Sequence, residues 1–260
     1  MILLIKLILA HLLGDFVFQS RSWVEAKESK RLKAWQLYVH ALVHGGLVFL
    51  ILYSFDSNSE AWKIAVWITA IHFIIDLAKV SFLASDKPKF WFFRKDRNGN
   101  PPEPDKITRW CFVIDQIAHF LTIYILWICF EHRDLPSEIF TNERWILLAA
   151  CVVFLTQPIA ILMQVLFSRW TTQMVDVEQE SLENAGKYIG ILERLFVFAF
   201  VITDHWQAIG FLMAAKSIFR FGYLQESKNR RLTEYVLIGT LMSFGIALLT
   251  GIIYLELIKK

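Results

Sequence analysis

Histidine and aspartate recur in pairs at one spacing along this sequence: His11 with Asp15, His40 with His44, His72 with Asp76, and Asp115 with His119. Residues four apart stand one turn above the other on one helix face, so each pair is a two-pronged ligand set. Together they offer five imidazoles and three carboxylates. That is enough to give one or two divalent cations three or four ligands each, as in the dinuclear centres that helix bundles build from inward-facing pairs. Nitrogen and oxygen ligands without thiolate suit zinc foremost, with manganese or iron as the other candidates. Cys111, Cys129 and Cys151 sit singly in apolar stretches and form no ligand motif. A proton- or ion-conducting polar core would use the same residue types, and that reading stays open beside the metal site.

The pairs need elements to position them, and composition says which kind. Of the 260 residues 56% are hydrophobic and only 20% charged, with ten Trp and 22 Phe. A soluble domain would carry about 25% charge. The expected fold is therefore all-α, a polytopic transmembrane bundle of about eight spans with a metal-binding four-helix first half. The spans are read at 2–19, 36–55, 61–84, 107–131, 144–167, 187–203, 206–222 and 234–257. Two domains follow, 1–140 with the His/Asp site and 141–260 with its own charges.

Lys and Arg collect on the segments 20–35, 85–106, 168–186 and 223–233. The positive-inside rule makes these loops cytoplasmic and puts the amino terminus outside. At ~1.5 Å per residue, Asp15, His44, Asp76 and Asp115 then fall roughly 6–14 Å inside the cytoplasmic boundary. His11, His72 and His119 lie a turn deeper, and His40 lies nearest the cytoplasm, a weaker member of the set. The stretch Arg21 to Lys33, with Trp23, Val24 and Leu32, reads equally as an interfacial amphipathic helix or as a basic loop. Gln19 and Gln116 adjoin the pairs and are candidates to orient them. Gly14 and Gly45-Gly46 are candidates for close helix approach.

The second half carries Glu193, Arg194, Lys216 and Arg220 inside apolar runs. Depth places Glu193 level with Lys216, with Lys79 of the first half at a similar level. Two readings apply: a self-neutralising clamp between helices, or a substrate pocket of Lys79, Glu193, Arg194, Lys216 and Arg220 for a phosphate or carboxylate headgroup, Arg220 being the phosphate fork. Thr156-Gln157-Pro158 marks a kink.

The motifs His-Leu-Leu-Gly-Asp-Phe-x-x-Gln at 11–19, His-Ala-Leu-Val-His at 40–44, His-Phe-Ile-Ile-Asp-Leu-Ala-Lys at 72–79 and Asp-Gln-Ile-Ala-His at 115–119 resemble a bacterial inner-membrane family known only as a domain of unknown function. Segments 185–194, 214–221 and 234–244 resemble the second half of its longer members. The resemblance implies a multi-pass protein of the bacterial inner membrane, and more distantly a likeness to membrane-bound metal-dependent hydrolases. Fold kinship alone does not carry an activity.

The expected function is a metal-dependent hydrolase acting on a phospholipid or other amphiphile from the cytoplasmic leaflet, with Asp15 or Asp115 as the proton acceptor. Membrane lipid is the expected partner and nucleic acid is not. The alternative is a metal-ion or proton transporter or channel built on the same core. A diiron oxidase and an effector with a structural metal rank lower.

Overall fold

The architecture comes from a computed structural model that describes residues 1–56, 60–83, 106–131, 140–171, 185–227 and 230–259. Most of the 85–106 and 168–186 loops, and the side chain of Arg220, lie outside them. The chain runs α1 (Ile2–Phe16), α2 (Arg21–Lys30), a 3-10 turn (Arg31–Lys33), α3 (Trp35–Asp56), α4 (Ala61–Leu83) and α5 (Lys106–Glu131). It continues as α6 (Phe140–Leu155), α7 (Gln157–Thr171), α8 (Ala185–Ile202), α9 (Trp206–Ser227) and α10 (Arg230–Ile258). Among the described residues there is no strand, so the all-α expectation stands.

Five stretches are long and apolar enough to cross a membrane: Trp35–Tyr53, Ala61–Leu83, Arg109–Phe130, Glu143–Phe167 and Thr233–Ile258. Eight spans are not reached on that measure. At 15 residues, α1 is shorter than the ~20 a bilayer core asks for. Charges interrupt the other two, Glu193 and Arg194 in α8 and Lys216 in α9. The first-half helices are apolar on the outside, with Leu42, Trp67, Ile74, Ile114 and Ile117 exposed, while seven of the eight paired His and Asp residues are buried. That inverts the pattern of a soluble bundle and suits a lipid solvent.

The chain divides into two compact units, Met1–Ala150 and Cys151–Lys260. In the first, α1 packs on α3, α3 on α4, α4 on α5 and α5 back on α1, which closes a four-helix ring. An apolar plug of Leu3, Leu7, Val48, Leu52, Ile64, Ile68, Ile123 and Leu126 fills one end of its interior. Leu7 and Ile68 precede a site histidine by four residues, whereas Val48 and Ile123 follow one by four. The plug therefore lies one turn to one side of the histidine layer, with α1 and α4 running opposite to α3 and α5. Helix α2 lies against α3 and α4. Of the two readings for Arg21 to Lys33, a helix followed by a tight turn is what forms.

Glycine decides two of the close approaches. A Cβ on Gly14 would stand 2.4 Å from the His44 ring, and one on Gly45 would stand 1.9 Å from Thr69 Oγ1 and 3.1 Å from the Ala65 carbonyl. Gly46 faces open space, so only one of the adjacent glycines serves packing.

In the second unit α8 is central, touching α7, α9 and α10, with Val197, Phe198, Val201, Phe244 and Ala247 buried. The expected kink is a full break between α6 and α7 at Thr156. Pro158 has no N–H for the preceding turn, and its ring crowds the carbonyl four residues back. Arg194 serves the opened end, donating from Nε to the Leu155 carbonyl at 2.7 Å and from Nη2 to the Thr156 carbonyl at 3.3 Å.

The glycine geometry predicts opposite signs for neighbouring substitutions. Gly45→Ala should destabilise by about 1–3 kcal/mol, because overpacking outweighs the ~1 kcal/mol helix-propensity gain. Gly46→Ala, with nothing to meet, should be neutral or stabilising. Thermal melting of the two variants in detergent, monitored by tryptophan fluorescence, checks both.

Candidate metal centre

The ring of helices turns one face of each toward a common point. From α1 come His11 and Asp15, from α3 His40 and His44, from α4 His72, Asp76 and Lys79, and from α5 Asp115, Gln116 and His119. All eight paired residues meet in one cluster, and seven of them are buried, with Asp15 close behind. The imidazoles stack, His44 on His72 at 3.6 Å between centroids and His72 on His119 at 4.1 Å.

Their polar atoms converge more closely than hydrogen bonding alone requires. Around Asp15 Oδ1 stand His44 Nε2 at 3.0 Å, His40 Nε2 at 3.1 Å and His72 Nε2 at 3.6 Å. His40 Nε2 in turn lies 3.0 Å from His72 Nε2, 3.2 Å from Gln19 Nε2 and 3.6 Å from Asp76 Oδ2. A ring nitrogen carries one proton or one lone pair, so it satisfies only one such neighbour at a time. Several nitrogens and carboxylate oxygens turned to one place is what a cation organises.

Three overlapping sets have the reach to hold an ion, each with ligand atoms within 4.8 Å of one another: His11, Asp15, His44 and His72; His40, His72 and Asp76; and Asp76, Asp115 and His119. The third has a further mark. His119 Nε2 and Asp115 Oδ1 are buried without a hydrogen-bond partner, 3.6 Å apart, and Asp76 Oδ1 is 3.8 Å from the same nitrogen. Unpaired buried polar atoms are costly, and a shared ion would satisfy both at once.

Each carboxylate has a second partner behind it. Lys27 of α2 donates to Asp76 Oδ2 at 2.6 Å, and Lys79 donates to Asp115 Oδ2 at 2.7 Å. Gln116 Nε2 donates to Asp15 Oδ2 at 3.1 Å, and its oxygen lies 3.4 Å from His11 Nε2. The glutamines thus stand where the sequence put them. His40, expected at the margin, is 1% exposed and central. Lys79, grouped by depth with the charges of the second half, has its ammonium on Asp115.

Lys27 is the residue that sequence reasoning missed. Its signal was available: Val24 and Lys27 are three apart on the buried side of α2, where a lysine replaces the next apolar residue of the stripe.

A small cavity adjoins the rings, bounded by His11, His44, His72 and His119 and closed by Leu7, Val48, Ile68 and Ile123. In the second unit Glu193 and Lys216 form an ion pair at 2.5 Å, and Arg194 is committed to the carbonyls at the helix break and to Ser243. These contacts have the form of the clamp.

A family model described as "Protein of unknown function (DUF3307)" matches residues 3–149. The chain belongs to that family. The DUF3307 match takes in every residue of the cluster, Lys27 and Lys79 included, and stops at the second compact unit. No curated protein and no solved structure matches the chain.

Glu28 follows Lys27 on α2 and is also buried. Burial pushes its carboxyl up to about 8, against the pull of Lys79 and Lys27, which favour the charged form. In the unfolded chain the same group ionises near 4.5, so between the two values the folded state holds the extra proton. Stability contributed by that proton is present at low pH and is lost as pH rises through about 8. Glu28→Gln should therefore melt with wild type near pH 4 and progressively above it as pH rises to about 8, a difference that melting curves across that range read directly.

Proposed function

We propose that the chain is a membrane-embedded hydrolase that uses one or two divalent metal ions, zinc foremost, to cleave an amphiphilic ester or phosphoester. The observation that carries the reading is the inward set of Asp76, Asp115 and His119, two of whose buried ligand atoms have no partner. His11, Asp15, His40, His44 and His72 supply the remaining ligands. Manganese and iron suit the same nitrogen and oxygen donors.

A bound ion of this kind lowers the pKa of a water and polarises the oxygen of the scissile group. The residues do the rest. Asp15 has both oxygens engaged, by His40 and His44 on one side and Gln116 on the other, which suits a fixed ligand. Asp15 or Asp115, whichever keeps an oxygen free of the ion, is the acceptor for the water's proton. The water oxygen adds to the carbonyl carbon or phosphorus, and the departing alcohol leaves with a proton. Gln116 and Gln19 hold the orientation of His11, Asp15 and His40.

The same core could serve a metal-ion or proton transporter. One observation favours the enzyme: the apolar plug packed against the histidine layer closes one end of the bundle, whereas a conduit needs access from both. In the orientation read from the loops, the end opposite the plug, where α2 lies, faces the cytoplasm, and a lipid of the inner leaflet would enter from that side. A bacterial inner-membrane location is part of this proposal.

Elemental analysis of purified protein tests it. Wild type should hold stoichiometric divalent metal, and an Asp76→Asn, His119→Gln double variant should lose at least one ion. His72→Ala should lose metal and hydrolysis of short-chain ester or phosphoester substrates together. Gln116→Ala should weaken metal binding about 10–100-fold. Metal-free wild type that still hydrolyses would sink the mechanism, and metal-dependent flux in liposomes without hydrolysis would favour the transporter.

A further inference from the structure

Lys27 and Lys79 raise a question of charge. Each ammonium sits on the Oδ2 of a carboxylate whose Oδ1 faces His119, so each is one carboxylate away from the point where an ion would be held. Two lysines against Asp15, Asp76 and Asp115 leave a single negative charge when the imidazoles are neutral. One divalent ion turns that into one positive charge, which a metal-bound hydroxide cancels. Two ions leave three positive charges, and a hydroxide still leaves two.

The ligand sets argue for two. His11, Asp15, His44 and His72 share no member with Asp76, Asp115 and His119, and each set converges within 4.8 Å. Glu28, beside Lys27 on α2, would offset only one of those two charges if ionised. Excess positive charge in a low-dielectric bundle is expensive unless an anion shares the site. A neutral carboxylic ester brings no such charge. A phosphate ester does, and its oxygens are the ligands that paired metal ions and ammonium groups take together.

Resting on the hydrolase reading, we infer that the substrate is a phosphate ester, its anionic oxygens held by Lys27 and Lys79 beside two metal ions. Ligation through Asp76 and Asp115 would take up carboxylate charge that the Lys27 and Lys79 ammoniums now answer, leaving both lysines for the phosphate. Lys27 reaches the centre only because α2 lies against α3 and α4, so the anion site is completed from outside the four-helix ring. The shared chemistry is the phosphate group, and a lipid headgroup and free phosphate are its two sources.

The test uses full-length protein in detergent, loaded with zinc or manganese and titrated calorimetrically with three probes: inorganic phosphate, a short-chain phosphatidic acid and a short-chain diacylglycerol. Both phosphate probes should bind and the neutral diacylglycerol should not. Tighter binding of the phosphatidic acid assigns the lipid source, and equal binding assigns free phosphate. Lys27→Gln and Lys79→Gln should each weaken phosphate binding at least tenfold while holding metal as tightly as wild type or more tightly, since a competing cation is gone. Lys27→Arg and Lys79→Arg should restore most of the phosphate affinity.

A role confined to neutralising the aspartates predicts no change in phosphate binding, and that result overturns the inference. So does a neutral ester that binds as well as phosphate. Should the glutamine variants fail to fold, manganese-loaded wild type decides: the phosphorus resonance of bound phosphate must broaden beside the ion, and its absence overturns the inference. Wild type without metal would defeat the hydrolase reading itself, whereas metal-bearing protein indifferent to phosphate defeats this inference alone.

Discussion

Everything in the first unit answers one constraint, the cost of placing carboxylates and imidazoles inside an apolar bundle. An isolated charge there would cost several kcal/mol, so each polar atom must find a partner within the ring. The helices meet this by turning four pairs to one point, so that Asp15 is shared among His40, His44 and His72 and backed by Gln116. The arrangement is incomplete at Asp115 and His119, where ligand atoms are buried without partners. Incompleteness at two buried, neighbouring positions is what gives the cluster a functional rather than a merely structural look.

The second unit meets the same constraint to a different end. Glu193 is answered by Lys216, and the Arg194 guanidinium spans the Leu155 and Thr156 carbonyls at the break before Pro158. Within that described set no ligand atom is left waiting. Charges of similar type and burial therefore have different meanings in the two units: one set is closed on itself, and the other carries ligand-type atoms that could share an ion.

Close packing is the second requirement, and it is set by the absence of side chains. Gly14 lets the His44 ring lie against α1, and Gly45 lets α3 approach Ala65 and Thr69 of α4. With any larger residue at 14, His44 would be displaced from Asp15, so a packing residue and a ligand are coupled across one helix interface. Helix α2 adds the last piece, carrying Lys27 to Asp76 from outside the ring.

Periodicity alone made the eight candidate ligands and the helical fold legible, because a four-residue spacing on a helix fixes a shared face whatever the tertiary context. Loop charge placed those faces at a common depth, and the adjoining positions of Gln19 and Gln116 marked them as neighbours. What sequence could not decide was every relation across helices. His40 looked marginal because depth along an axis says nothing of rotation about it, and Lys79 was grouped by level with charges of the other unit when its partner was Asp115. Lys27 carried only the slight signal of its spacing from Val24, because a lysine in a basic stretch reads as solvated until the helix carrying it is seen lying against the bundle. Only the closed ring of α1, α3, α4 and α5, with α2 against it, brings residues far apart in the chain to within a hydrogen bond of one another, since that proximity depends on which faces pack and not on any local pattern.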